Sequence, residues 1–242
     1  MSSMLVQGRG RRRRPAAATA PSRGTRRLLR GLRPRARTAE PTCRVNGWRY
    51  GESVTAAATA PSIALRRLAP RGADRDRLLS FLTSNVFPFH VMQRRTADEV
   101  AASIDEGAFE NDETGSFWLD HAELGCIGLV RLEDIEDPTP LLDLRLAEEF
   151  RGRGLGTEAL RAVTRHLFEH FDEVTRFEGQ TREDNLAMRR TFVRCGWVKE
   201  AHYRESWPVE GGAPLASVAY GILRRDWESG TTTPVPWEEP GL

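Results

Sequence analysis

The chain has 242 residues, and 36 Lys plus Arg against 34 Asp plus Glu give a formal net charge of +2. That balance conceals a split: residues 1–62 carry fourteen arginines against Glu40 and Glu52, which leaves 22 cations against 32 acids for the remainder. No apolar run approaches the length of a membrane span and no signal-peptide core is present, while Cys43, Cys126 and Cys195 are too few and too scattered for a disulfide framework or a zinc site. A reducing, cytoplasmic setting without a resident metal is therefore expected.

Residues 1–62 are rich in Arg, Ala, Pro, Gly, Ser and Thr and poor in large apolar side chains. Such a segment buries too little surface to offset its ordering entropy, so disorder is expected. Ala16–Ser22 recurs as Ala56–Ser62, and Arg26-Arg27-Leu28 as Arg66-Arg67-Leu68, too short a match for a solenoid. Three readings of this tail compete: phosphate or acidic-surface binding, an arginine-rich transit peptide, and a low-complexity extension without function. Because arginine replaces lysine almost everywhere, Lys199 being the only lysine, composition favours the last.

Beyond the tail the pattern is that of a folded domain. Ser62–Leu68 alternates as a strand, and Asp74–Thr83 reads as a helix with Leu78, Leu79 and Leu82 on one face. Phe87-Pro88-Phe89-His90 interrupts helix formation, and Thr96-Ala97-Asp98-Glu99 is a capping box that starts a second helix through Val100, Ile104 and Phe109. Ser116–Leu119 and Cys126–Leu132 read as paired strands, followed by the loop Asp137-Pro138-Thr139-Pro140 and a strand over Leu141–Ala147. After a glycine-rich turn comes an amphipathic helix, Thr157–Phe168. Then follow a strand at 175–181, a helix over Asn185–Arg194 stopped by Gly196, and strands at Val198–Trp207 and Leu215–Leu223. The order β-α-α-β-β-β-α-β-α-β-β implies a mixed α/β sheet covered on both faces.

The turn Arg151-Gly152-Arg153-Gly154-Leu155-Gly156 carries the chemistry. Strand, glycine turn and helix together aim unpaired amides and the positive end of a helix dipole at an anion, and glycines allow close backbone approach. A Walker loop would need Gly-Lys-Ser/Thr, and a dinucleotide fingerprint G-x-G-x-x-G after a first strand; neither is present. The spacing Arg-x-x-Gly-x-Gly resembles the coenzyme A loop of the GCN5-related N-acetyltransferases, more closely their branch similar to the bacterial ribosomal-protein N-terminal acetyltransferases. The element order extends that resemblance to residues 63–228.

The resemblance implies an acyl-CoA N-acyltransferase-like fold, with a central, mostly antiparallel splayed sheet and helices on both faces. Residues 229–242 would form a flexible tail. It further implies acetyl-CoA as cosubstrate. Its pyrophosphate would lie on the amides of Arg151, Gly152, Arg153, Gly154, Leu155, Gly156 and Thr157, its pantetheine arm along Leu146 and Ala147. Asn185 matches the asparagine that bonds that arm, and it is equally well placed as a helix cap. Phe192 departs from the pattern: many relatives have there a tyrosine that protonates the leaving thiolate.

The implied reaction is direct attack of a neutral amine on the thioester, within a ternary complex. Candidates for the base or amine anchor are Asp143 first, then Glu133, Glu178, His90 and His202. Phe89, His90, Tyr203, Trp207 and Tyr220 are candidates to wall the acceptor site. The acidic balance of the domain suits a cationic acceptor, an amine-bearing small molecule or a protein N-terminus, bound by a monomer or homodimer. Two other readings stay open: a non-catalytic nucleic-acid binder acting through its tail, and a CoA-binding sensor.

Overall fold

The computed structural model describes residues 62–237. The arginine-rich segment, Ser62 apart, and the last five residues lie outside the described residues. The elements are β1 (Ile63–Arg67), α1 (Arg75–Ser84), α2 (Ala97–Asp105), β2 (Gly115–His121), β3 (Gly125–Glu133) and β4 (Leu141–Leu146). A single 3-10 turn (Glu148–Phe150) leads to α3 (Leu155–His170), β5 (Arg176–Arg182), α4 (Leu186–Arg194), β6 (Val198–Trp207), β7 (Leu215–Leu223) and α5 (Arg224–Ser229). The expected order is present, with the short turn and α5 added. Phe109 is not the end of α2 but lies beyond it, buried, in the loop that follows.

The seven strands among the described residues form one sheet in the order β1-β2-β3-β4-β5-β7-β6. Every neighbouring pair is antiparallel except β4 and β5, which run parallel and meet only at Leu141↔Glu178 and Leu142↔Gly179. Beyond those two positions the strands part, so the middle of the sheet opens into a wedge.

Alternation along the strands sends side chains to two separate cores. On one face Phe117, Val130, Leu132, Phe177 and Tyr220 pack against the apolar stripe of α3 (Leu155, Ala159, Leu160, Val163, Leu167) and Phe192 of α4. On the other, Trp118 and Leu129 pack under Leu78 and Leu82 of α1, Val100 and Ile104 of α2, and Phe87. The capping box starts α2 as its sequence requires: Thr96 Oγ1 accepts from the Glu99 amide (3.3 Å), and the Glu99 carboxylate accepts from the Thr96 amide (2.8 Å).

Two glycines let strands and helix close on one another. A Cβ at Gly128 would fall inside the shell of the Arg145 carbonyl oxygen and 2.9 Å from Leu146 Cδ2; one at Gly179 would sit 2.7 Å from Phe192 Cζ. After α5 the chain does not simply trail away. Thr231 donates its amide to the Asp226 carbonyl, and Thr233 donates its amide and hydroxyl to the Asp226 carboxylate at 2.8 and 2.7 Å. Residues 229–233 of the expected tail thus fold back on the domain.

Candidate active site

The wedge between β4 and β5 opens toward the glycine turn, and backbone parity decides what lines it. Ala147 donates its amide to the Ile127 carbonyl on β3 (3.0 Å), and Glu178 on β5 donates to the Pro140 carbonyl (3.1 Å). Antiparallel ladders alternate, so Leu144 and Leu146 turn their N–H and C=O groups away from β3 and into the wedge. Ala147 is not available for such a role: its carbonyl is also spent, accepting from the Phe150 amide (3.1 Å). Leu144 is the residue the sequence reading missed, although the period of two along the strand contains it.

The glycine turn follows. Gly152 and Gly154 adopt φ of +72° and +86°, a region that a side chain disfavours, and Gly154 is the N-cap of α3. The helix begins at Leu155, two residues earlier than expected. No acceptor among the described residues meets the amides of Gly152, Arg153, Gly154, Leu155 or Gly156. Five free donors on one turn fit a pyrophosphate, and this is the fit that coenzyme A requires.

Arg151 and Thr157 are used differently. The Arg151 amide bonds to the Glu148 carbonyl (3.2 Å) and the Thr157 amide to that of Gly154 (3.0 Å). The Arg151 guanidinium turns inward over the Phe87 ring, donating to the Leu146 carbonyl (2.9 Å) and the Val86 carbonyl (2.7 Å). Burial lowers its pKa from the ordinary guanidinium value, against the pull of Glu148. It braces the glycine turn to the α1–α2 loop instead of adding charge to the anion site. Asn85 and Glu148 complete the brace: Asn85 Oδ1 accepts from the Glu148 amide (2.8 Å), and the Glu148 carboxylate accepts from the Val86 amide. Arg153 stays outside, over the Phe150 ring.

Asn185 caps α4. Its Oδ1 accepts from the Met188 amide (3.2 Å), and its Nδ2 donates to Thr181 Oγ1 (2.9 Å). Phe192 is buried over Gly179, stacked on Tyr220 at 4.8 Å and 14°. Tyr220 is therefore part of the α3–α4 core, its hydroxyl accepting from Arg189 Nε (3.2 Å), and not a wall of the acceptor site. Cys195 points at the Thr157 carbonyl, and burial raises its thiol pKa, so it is no nucleophile.

On the opposite face of β4, Asp143 lies 14% exposed in a ring of cations. Arg145 grips both its oxygens (3.1 and 2.9 Å), Arg131 lies at 3.3 Å and His90 Nε2 at 3.1 Å. Burial alone would raise its pKa; Arg145, the His90 hydrogen bond and Arg131 outweigh that and hold the carboxyl well below the usual range. An anion so stabilised is a poor proton acceptor, which removes Asp143 as the base. Glu133 is paired with Arg131 (2.5 Å), and Glu178 with Arg176 (2.7 Å) and Gln180 (3.1 Å). His202 and Glu183 approach at 3.7 Å near the sheet edge.

Of the acceptor-wall candidates, Phe89 lies under Arg182 (5.0 Å) and His90 sits over β4. Tyr203 is exposed on the edge strand β6, and Trp207 ends that strand. Near them, Val91, Met92, Glu99, Val209 and Glu210 line a shallow cavity of about 380 Å³ between the α1–α2 loop and the β6–β7 turn.

A splayed mixed sheet with a loop of free amides at its wedge makes a site for an extended ligand that carries a pyrophosphate. The acetyltransferase (GNAT) domain family matches residues 63–198, so the chain belongs to the GNAT acetyltransferases, acetyl-CoA-dependent enzymes that deliver the acetyl group to an amine. Among solved structures, a spermidine N-acetyltransferase from Vibrio cholerae in complex with CoA and spermine is similar, with TM-score 0.59 and 18% identity over 69% of this chain and 98% of that one. A dodecameric structure of spermidine N-acetyltransferase from Vibrio cholerae in an intermediate state matches with TM-score 0.55 and 17% identity over 69% and 96%. Comparison with the curated proteins found no match. No helix among the described residues is long and apolar enough to cross a membrane.

Proposed function

We propose that this enzyme acetylates a primary amine presented on the α1–α2 face of the sheet, the amine belonging to a small molecule or to a protein N-terminus. The observation that carries the reading is the wedge: it opens beside five free amides on one side and the His90–Asp143 cluster on the other. In this reading the amides of Gly152 to Gly156 hold the pyrophosphate, and the backbone groups of Leu144 and the amide of Leu146 pair with the pantetheine arm, the Leu146 carbonyl being held by Arg151. Coenzyme A supplies the activated acetyl thioester. A backbone N–H on β4 that faces the wedge stabilises the oxyanion as the amine attacks. The buried Phe192 gives no proton to the thiolate; thiols are acidic enough, with pKa about 8.5, for the leaving group to take one from water.

Thermal unfolding of the full chain with and without acetyl-CoA, beside Gly154→Glu, tests the assignment. Ligand at about a hundred times its dissociation constant stabilises a fold by about 2.7 kcal/mol. For a domain of this size that is a rise of about 5–10 °C. The variant adds a strained φ and a negative charge at the anion site, and is expected to abolish the rise while remaining folded. A wild-type chain with no rise sinks the assignment.

A further inference from the structure

The loop between α1 and α2 holds one side chain whose chemistry the fold does not use. His90 reaches down to β4 and places Nε2 at 3.1 Å from Asp143 Oδ1. An ionised carboxylate only accepts, so Nε2 carries the hydrogen, and in the neutral ring the lone pair lies on Nδ1. Nδ1 is buried and meets no hydrogen-bond partner among the described residues, although the side chain as a whole is 26% exposed. A buried acceptor without a donor costs free energy, and a fold that retains one commonly uses it.

The surroundings keep this ring fixed. Its amide closes a turn on the Phe87 carbonyl (3.0 Å), and its ring meets Phe87 edge-on at 5.6 Å. The loop itself is pinned to the glycine turn through Asn85, Val86, Glu148 and Arg151. Beneath it, Asp143 is one residue from Leu144, whose backbone faces the wedge. Asp143, the ring's partner, and the backbone that faces the wedge thereby share one strand, and the loop that carries His90 is tied to the glycine turn by the brace.

We propose that His90 is the general base of the transfer and that Asp143 is the positioning residue that fixes its tautomer. The assignment rests on the acetyl-transfer reading above. The acceptor nitrogen forms its bond to the acetyl carbon, and the carbon–sulfur bond breaks. The nitrogen's surplus proton passes to His90 Nδ1, directly or through one water, and the thiolate leaves and is protonated by solvent. The transient imidazolium is stabilised by Asp143 and then returns its proton to water.

The charged groups around the ring set the pH range. Asp143 and Arg145 face it from β4, Arg131 from β3 across Asp143, and Arg151 from the glycine turn, while Arg95 on the same loop acts on Asp143, Arg145 and Arg131. Burial first, then Arg145 and Arg151, outweigh Asp143 and lower the His90 pKa below 6.5. The ring is neutral at pH 7, but it is too weak a base to strip an alkylammonium directly. It serves best once the nitrogen has attacked and become acidic. Acceptors with pKa about 7.7–8.0, such as α-amines, are favoured over side-chain-like amines of about 10.4.

The test is steady-state acetyl transfer by the full chain and His90→Gln, following CoA release. The acceptors run from the α-amine of a short peptide to spermidine. Thermal midpoint and acetyl-CoA dissociation constant are measured beside it. His90→Gln retains an N–H for Asp143 but no basic nitrogen. The expected result is a fall in kcat of about 100-fold or more on the best acceptor, with acetyl-CoA affinity unchanged. The ratio of wild-type to variant rate, in which amine ionisation cancels, should decline toward one on the acid side of 6.5. A variant as fast as wild type, or slower by a ratio that does not change with pH, overturns the assignment and leaves the acetyltransferase reading standing. A wild-type chain that fails to bind acetyl-CoA, or binds it and acetylates no amine, overturns that reading and the role of His90 with it.

Discussion

The two faces of the sheet are built to different rules. The α3–α4 face is a continuous apolar core in which even the position of the missing acid, Phe192, is filled by stacked rings. The α1–α2 face has a smaller core that stops at Phe87, where Arg131, Asp143, Arg145 and His90 take over. Burying that many charges next to one another contributes little to stability, because desolvation offsets the Coulomb gain. The first face supplies fold stability; the second holds polar groups at fixed positions beside the wedge.

The strongest way to break that division is to disturb the strand pair that both faces share. Gly128→Ala places a methyl against the Arg145 carbonyl and the Leu146 side chain, where β3 and β4 cannot part without moving the wedge. Overpacking against backbone costs up to about 3 kcal/mol. Urea unfolding should show that loss, and acetyl-CoA affinity should fall with it. A variant that loses stability yet keeps its affinity would separate the wedge from the β3–β4 register.

A second effect belongs to the α3–α4 face alone. His166 on α3 packs edge-on to Phe117 (4.9 Å), and burial, then His170 and Arg165, lower its pKa to about 4. Because the folded pKa lies below the unfolded one, the unfolded chain binds the extra proton first. Stability is therefore complete above pH 6.5 and drains away as pH falls to about 4. The shift is worth up to about 3 kcal/mol, and partial exposure reduces this to about 2. His166→Phe should flatten the acid side of a stability-against-pH curve without altering the pH dependence of transfer. His90→Gln should change the transfer profile, and, because burial lowers the pKa of His90 too, it removes a separate share of the acid-side slope of stability. A change in the transfer profile on His166→Phe would mean the faces are not separable.

Much of this was legible in the sequence where the determining interactions are local. The Thr96–Glu99 box, the glycine turn and the stripe of α3 each lie within a few residues, and each forms in place. Positions governed by strand parity were half legible: Leu146 faces the wedge, but its partner is Leu144 rather than Ala147, because the ladder to β3 claims every second amide. Positions governed by distant partners were not legible. Asp143 reads as a free carboxylate on a strand, and only the fold brings His90, 53 residues away, and Arg131 onto it. Arg151 likewise reads as loop charge, and the Val86 carbonyl that turns it inward is 65 residues distant. Tyr220 reads as an aromatic on the last strand that could wall the acceptor site, whereas its strand neighbour on β5, Gly179, leaves the space into which Phe192 stacks.

The smallest effect sharpens the comparison most, because it touches only the α1–α2 face. Thr96 ends the loop that carries His90 and starts α2, and Thr96→Ala removes the side-chain half of the capping box. The loss of one cap costs about 1 kcal/mol. The Glu99 carboxylate keeps its bond from the backbone amide of residue 96, so α2 should fray at its first turn without unfolding. If the second face works by positioning, that fraying reaches His90 through six residues of loop. The acceptor KM should then rise and kcat fall several-fold, while the acetyl-CoA dissociation constant, which the proposed site assigns to the glycine turn, stays where it is. If instead kinetics stay constant while the thermal midpoint drops, the brace through Asn85, Glu148 and Arg151 holds the loop by itself, and the start of α2 contributes to stability only.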